Sequence, residues 1–213
     1  MSELREAEVT RKTKETDITV RVQLEGTGNV KINTSVKFLD HLVTSFATHS
    51  LIDIQIDATG DLIHHTAEDV ALTIGEAINK ALGERKSIKR FGFAIVPMDD
   101  ALAYSAVDLV KRPFQVADLK IDKEGIEDMP AEDIYHFIQS FSTSLQANIH
   151  VIVEYGNNDH HKVEAAIKAM ALSMREAMSP DSRRDGTPSS KGCLLYTSPS
   201  PRDRTRSRMP SSA

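Results

Sequence analysis

Tryptophan is absent from this 213-residue chain, and cysteine occurs once, at Cys193. A single cysteine excludes an intrachain disulfide framework and a cysteine-rich zinc site. It suits a reducing compartment, so a cytoplasmic protein is expected. Aromatic residues make up only 5%, too few for a platform that stacks nucleic-acid bases. Positive charge is in deficit: 26 Lys and Arg face 31 Asp and Glu, a formal net charge of −5. That argues against a general nucleic-acid binder. No apolar run approaches the roughly 20 residues that span a bilayer. The opening MSELREAEVTRKTKET has no apolar stretch for a signal peptide. With 40% hydrophobic residues, the chain can bury a core without disulfides or structural metal.

Residues 195–213, LYTSPSPRDRTRSRMPSSA, are of another kind: four Arg, one Asp, three Pro and five Ser, without periodicity. A disordered tail is expected there; a segment foreign to the protein is a second reading. The chain before it is more acidic than the whole.

That remaining chain repeats itself. FLDHLVTSFA (38–47) aligns with DIYHFIQSFS (133–142), placing His41 on His136 and Phe46 on Phe141 at an offset of 95. GDLIHHTAED (60–69) aligns with GNNDHHKVEA (156–165), placing His64-His65 on His160-His161 and Glu68 on Glu164 at an offset of 96. Two matches at nearly one offset imply two copies of a unit, 1–90 and 91–194, in one compact fold. Periodicity supports it. Alternation predicts strands at 18–24, 52–56, 92–96, 101–108, 113–121 and 149–155, with 30–34 as a partner of the first strand across a glycine turn. Helical spacing predicts 36–49, 66–82, 131–146 and 161–177. Each unit is a β-β-α-β-α type, and the fold class is α+β with helices packed on sheet.

Six of the eight histidines occupy repeated positions. In HHxxE the first His and the Glu lie one turn apart on one helix face and can grip one ion. The second His is rotated by about 100° and points toward a different one. The isolated histidines, His41 and His136, complete the set. Six imidazoles and two carboxylates, shared between two ions, give three His and one Glu each. An octahedral site of that kind keeps two positions for water or substrate and accepts Mn, Fe, Co, Ni or Zn. His49 and His150 stand outside the repeat.

FLDHL, GDLIHHTAEDVA, RFGFAIVPMDDALA, YGNNDHHKVEAAIKAM and PSSKG, in that order, resemble the imidazoleglycerol-phosphate dehydratase family of histidine biosynthesis, from about residue 5 to 194. The resemblance implies a duplicated α+β fold, trimers assembling into a 24-subunit shell, and sites between subunits that hold two Mn²⁺ ions. It implies a hydro-lyase converting D-erythro-imidazoleglycerol phosphate to imidazoleacetol phosphate. It makes His41, His64, His65, Glu68, His136, His160, His161 and Glu164 metal ligands. It places Glu15 and His49 by the substrate, and gives the phosphate to Arg90, Arg112, Lys168, Ser189, Ser190 and Lys191. Lys168 also stands four residues from Glu164, where it can form an ordinary helical pair. The proton to be lost is not beside a carbonyl, so ions on both ring nitrogens would favour an imidazolate that expels the neighbouring hydroxyl. Glu15, Glu68 and Glu164 are the candidate proton shuttles. Nineteen residues beyond the phosphate end depart from the family pattern, as do Leu42 for Met and the short GDLIHH. A di-metal phosphohydrolase and a non-enzymatic metal-binding shell are the competing readings.

Overall fold

The computed structural model describes residues 4–190 and residue 194. Lys191, Cys193 and the 195–213 segment lie outside the described residues. The chain runs β1 (Glu6–Lys12), β2 (Thr16–Gln23), β3 (Val30–Asn33), α1 (Lys37–Ser50), β4 (Asp53–Gly60) and α2 (Ile63–Leu82). It continues with β5 (Phe91–Met98), β6 (Ala101–Asp108), β7 (Phe114–Asp118), β8 (Gly125–Ile126), β9 (Met129–Pro130), α3 (Ala131–Leu145), β10 (Asn148–Tyr155) and α4 (Asp159–Met178).

Two four-stranded sheets result, in the orders β1-β2-β4-β3 and β5-β6-β10-β7. The orders correspond strand for strand, as duplication of one unit requires. The mixed α+β class is as expected, but each four-stranded sheet has one more strand than β-β-α-β-α, and the second unit adds the short β8 and β9. β1 was not foreseen: EAEVTRK is an edge strand in which only Val9 is buried, too little for an alternation signal. The 30–34 segment forms a strand, but pairs in parallel with β4. β2 has no free edge, being flanked by β1 and β4. The strand expected over 113–121 stops at Asp118, and the chain then forms the small β8–β9 hairpin.

The helices form a layer between the sheets. α2 lies against β1, β2 and β4, and α4 against β5, β6 and β10. Contacts across the repeat boundary, α1 on α4 and α2 on α3, join the units in one core. Phe46 and Phe141 occupy equivalent repeat positions and meet edge-on at 5.6 Å between centroids. Equivalent residues that touch mark the pseudo-twofold axis. Small residues permit the close layers: a Cβ on Gly92 of β5 would fall 2.0 Å from the Ser173 carbonyl oxygen of α4.

The helices point the same way. β1 starts beside the end of α4, where Arg5 donates to the Met178 carbonyl at 3.0 Å. It finishes beside the start of α2, where Arg11 pairs with Asp69 at 2.7 Å. α2 and α4 are therefore parallel, and the partners that meet them near their N-termini follow. All four N-terminal ends gather at one end of the molecule. The outer faces of the two sheets differ. Asp17, Thr19, Arg21, Gln55 and Asp57 cover the first, whereas the second exposes Phe91, Phe93, Ile95, Tyr104 and Phe114. Among the described residues no helix is long and apolar enough to cross a membrane.

Candidate metal centre and active site

α2 and α4 each begin one residue before an HH pair, so both pairs lie in a first helical turn. That turn has its N–H groups free, and Asn158 caps α4 by accepting from the His160 N–H at 2.9 Å. The first His of each pair then faces the Glu four residues on. His160 Nε2 is 3.5 Å from Glu164 Oε2, and His64 Nε2 is 3.9 Å from Glu68 Oε2.

The isolated histidines arrive from the other repeat. His41, on α1, places Nε2 3.5 Å from the same Glu164 Oε2. His41, His160 and Glu164 each offer a ligand atom, all within 4.8 Å of one another. On the opposite side His136, on α3, meets His64 at 5.1 Å between ring centroids. Each isolated histidine thus meets an HHxxE pair, and each group crosses the repeat boundary. His65 and His161, rotated by about 100° on their helices, turn Nδ1 to Asp61 and Asp100 instead.

Carboxylates organise these imidazoles. His64 Nδ1 lies 2.6 Å from Asp133, His65 Nδ1 2.7 Å from Asp61, and His161 Nδ1 2.6 Å from Asp100. An ionised carboxylate only accepts, so Nδ1 carries the proton and Nε2 keeps a free lone pair. These hydrogen bonds raise all three imidazoles above the ordinary histidine value. None of the three partners figured in the sequence reading. Asp61 was detectable, standing four residues before His65; Asp100 and Asp133 carry no local signal.

Burial works to raise the Glu164 carboxyl, but Lys168 and His41 hold it below its ordinary value. Lys168 does form the helical pair, at 2.7 Å from Glu164 Oε1. His49 is half-buried beside these two, and burial, then Lys168, pushes its pKa down. Glu15, in the β1–β2 turn, is 3.8 Å from His65 Nδ1. An open cleft of about 330 Å³, walled by Met98, Glu127, His160, His161 and Glu164, lies over the His41 group.

Of the phosphate candidates Lys168 joins this group, whereas Arg90, Arg112 and Ser189 do not. The Arg90 N–H donates to the Ala177 carbonyl at 2.9 Å, at the far end of α4. Seventeen residues of helix separate that point from His160, about 26 Å. Arg90 Nε is 2.6 Å from Asp108, and its Nη1 donates to the Pro188 carbonyl at 2.8 Å, next to Ser189. Arg112 is exposed just before β7, whose Phe114 shares a row across the sheet with Phe91, Asp108 and Asn148. Arg90, Arg112 and Ser189 thus occupy one end of the molecule and the six repeated histidines the other. Ser190 is exposed.

Known proteins share this arrangement of sequence. The family model for imidazoleglycerol-phosphate dehydratase matches residues 34–174. The imidazoleglycerol-phosphate dehydratase of Chlorobium luteolum is 49% identical over 193 residues, covering 89% of this chain and 96% of its own. That of Methanothermobacter thermautotrophicus is 46% identical, covering 91% and 100%.

This chain belongs to the imidazoleglycerol-phosphate dehydratase family.

The fold agrees. The family's crystal structure from Pyrococcus furiosus, in complex with (S)-C348, is similar with a TM-score of 0.77 at 38% identity, covering 87% of this chain and 99% of that one. The Staphylococcus aureus enzyme gives 0.76 at 27% identity, covering 82% and 99%. Imidazoleglycerol-phosphate dehydratases are hydro-lyases of histidine biosynthesis, and this chain is an enzyme of that class.

Proposed function

We propose that the enzyme dehydrates D-erythro-imidazoleglycerol phosphate to imidazoleacetol phosphate with two divalent cations, Mn²⁺ foremost, at sites shared between copies of the chain. One observation carries this reading: two repeat-related groups each bring an isolated His against an HHxxE pair from the other unit. The donor set fits. It contains only imidazoles and carboxylates, which suit first-row divalent ions. Carboxylates on Nδ1 leave Nε2 as donor on His64, His65 and His161.

When bound, the ions supply Lewis acidity that favours the imidazolate form of the substrate ring. The chain supplies the rest. His41, His160 and Glu164 hold one ion, and His64, His136 and Glu68 the other. His65 and His161 face outward and complete groups on neighbouring copies. Arg90, Arg112, Ser189, Ser190 and Lys191 grip the phosphate of a site whose histidines belong to another copy, because Arg90 lies about a helix length from the histidines of its own chain. Lys168, beside Glu164, faces the same substrate. Glu15, exposed beside His65, is placed to move the proton, with Glu68 and Glu164 as the alternatives. The apolar outer face of the second sheet supports self-association, in line with trimers building a 24-subunit shell. A cytoplasmic location suits the single cysteine.

The test is a dehydration assay on chelator-stripped protein, with and without added Mn²⁺, following ketone and free phosphate. Ketone restored by metal, with the phosphate retained, is expected. Phosphate release without ketone makes the enzyme a hydrolase. Full activity without metal removes the ions from the reading.

A further inference from the structure

The two histidine–glutamate groups come from one repeated unit but are not held alike. Lys168 engages Glu164 Oε1, leaving Oε2 facing both His41 and His160. The repeat puts Leu72 where the second unit has Lys168, and a leucine offers a carboxylate nothing. The Glu68 side chain is 44% exposed, against 11% for Glu164.

The second difference is the hairpin. The first unit passes from β3 to α1 through residues 34–36; the second passes from β7 to α3 through residues 119–130. The added length reaches across the repeat boundary. Asp128 accepts the backbone N–H groups of Lys37 at 2.8 Å and Phe38 at 2.9 Å. These open α1, whose own cap position holds Val36 without a side-chain hydrogen bond. A residue of the second unit therefore caps the helix that carries His41, one turn before that histidine. The adjacent Glu127 lies 3.2 Å from His160 Nδ1.

The hairpin is anchored on α4. Asp159 accepts the N–H groups of Asp122 and Lys123 at 3.2 and 3.0 Å. Lys162 bridges Asp159 at 2.8 Å, Asp122 at 2.6 Å and the Lys120 carbonyl at 2.7 Å. Asp159 and Lys162 are each only 2% exposed. The hairpin thus ties together the starts of α1 and α4, the two helices that bring His41 and His160 into contact. α3, which carries His136, has no side-chain cap.

We infer that the 119–130 hairpin is a clamp that pre-sets one metal site, with Asp128 as a positioning residue for His41, so that the His41–His160–Glu164 site fills before the His64–His136–Glu68 site. The inference rests on the metal reading above. Ligand atoms ordered before the ion arrives bind it more tightly, because less motion is lost on binding. The Lys168 ammonium repels a cation, but it sits beyond the carboxylate that neutralises it, whereas the hairpin orders both histidines of the group.

The test is a Mn²⁺ titration of the assembled, chelator-stripped protein, reading free ion by electron paramagnetic resonance and heat by calorimetry. Two classes of site are expected, one per chain in each class. His41→Ala removes the tighter class and His136→Ala the weaker. Asp128→Ala weakens the tighter class about 10–100-fold, the usual effect of losing an outer partner of a metal site, and spares the weaker. Asp128→Asn keeps an acceptor for the helix N–H groups and restores most of the loss. Circular dichroism and sedimentation check the fold of each variant. If Asp128→Ala does not fold, Glu127→Ala reads the same clamp through His160, and an unchanged tighter class there overturns the inference. Two equal sites in the unaltered protein, or equal losses in both classes, overturn it and leave the metal reading intact. No binding at either site overturns the metal reading and the inference together.

Discussion

A carboxylate that only accepts hydrogen bonds sets the protonation of its histidine, and three carboxylates here do so. Asp133, Asp61 and Asp100 raise the pKa values of His64, His65 and His161. The sign follows from linkage. In the metal-free protein these pairs contribute stability that is fully present below the unfolded histidine value, about 6.5, and lost as pH rises through the raised values. Melts of stripped protein should therefore show a contribution that falls as pH rises above about 6.5 through the raised values, which His161→Asn diminishes. A metal ion competes with protons for the same rings, so metal content should fall on acidification. Equal loading at about pH 5 and about pH 8 contradicts the ligand assignment. Arg112 is exposed and distant from the histidines. Arg112→Ala should raise KM about 10–100-fold, the worth of a charge-assisted phosphate contact, with metal content unchanged. Unchanged kinetics removes it from the phosphate end.

Among the elements, α1 was readable from a buried stripe, and β1, with almost nothing buried, was not. α1 shows Phe38, Leu42 and Phe46 at helical spacing, and all three are buried. β1 buries one side chain of seven, so its strand character comes from pairing with β2 rather than from its own pattern. β3 was legible as a strand but not in its partner, since a parallel pairing with β4 depends on which edge remains free. The spacing between β5 and α4 is set at Gly92, where a Cβ would fall 2.0 Å from a backbone carbonyl. Gly92→Ala should cost about 1–3 kcal/mol by overpacking, read as a lower denaturant midpoint at unchanged slope. A midpoint equal to that of the unaltered protein would mean that the two layers shift apart freely.

The molecule as a whole places its six repeated histidines at one end and Arg90 and Arg112 at the other, about a helix length apart. That polarity demands a second copy if one substrate is to touch both. Joint reassembly of two impaired variants, His65→Ala and Arg112→Ala, assayed at substrate well below the raised KM, should therefore recover activity, up to about a quarter of the sites by random pairing in a symmetric assembly. Mixtures no more active than their components would mean that each site draws on a single chain.

The sequence by itself determined the duplication, the α+β class and which His and Glu of each HHxxE share a helix face, because repeat spacing and helical period need only local geometry. HHxxE predicts which two side chains share a face wherever the helix goes. Only the tertiary structure decided which isolated histidine meets which pair, and it paired them across the repeats: His41 with His160, and His136 with His64. It also decided the carboxylates behind the imidazoles and the Asp128 cap on α1, separated in sequence by up to 91 positions. Those contacts exist because burying the apolar faces of four helices between two sheets brings distant turns together, and no local pattern records where a distant turn arrives.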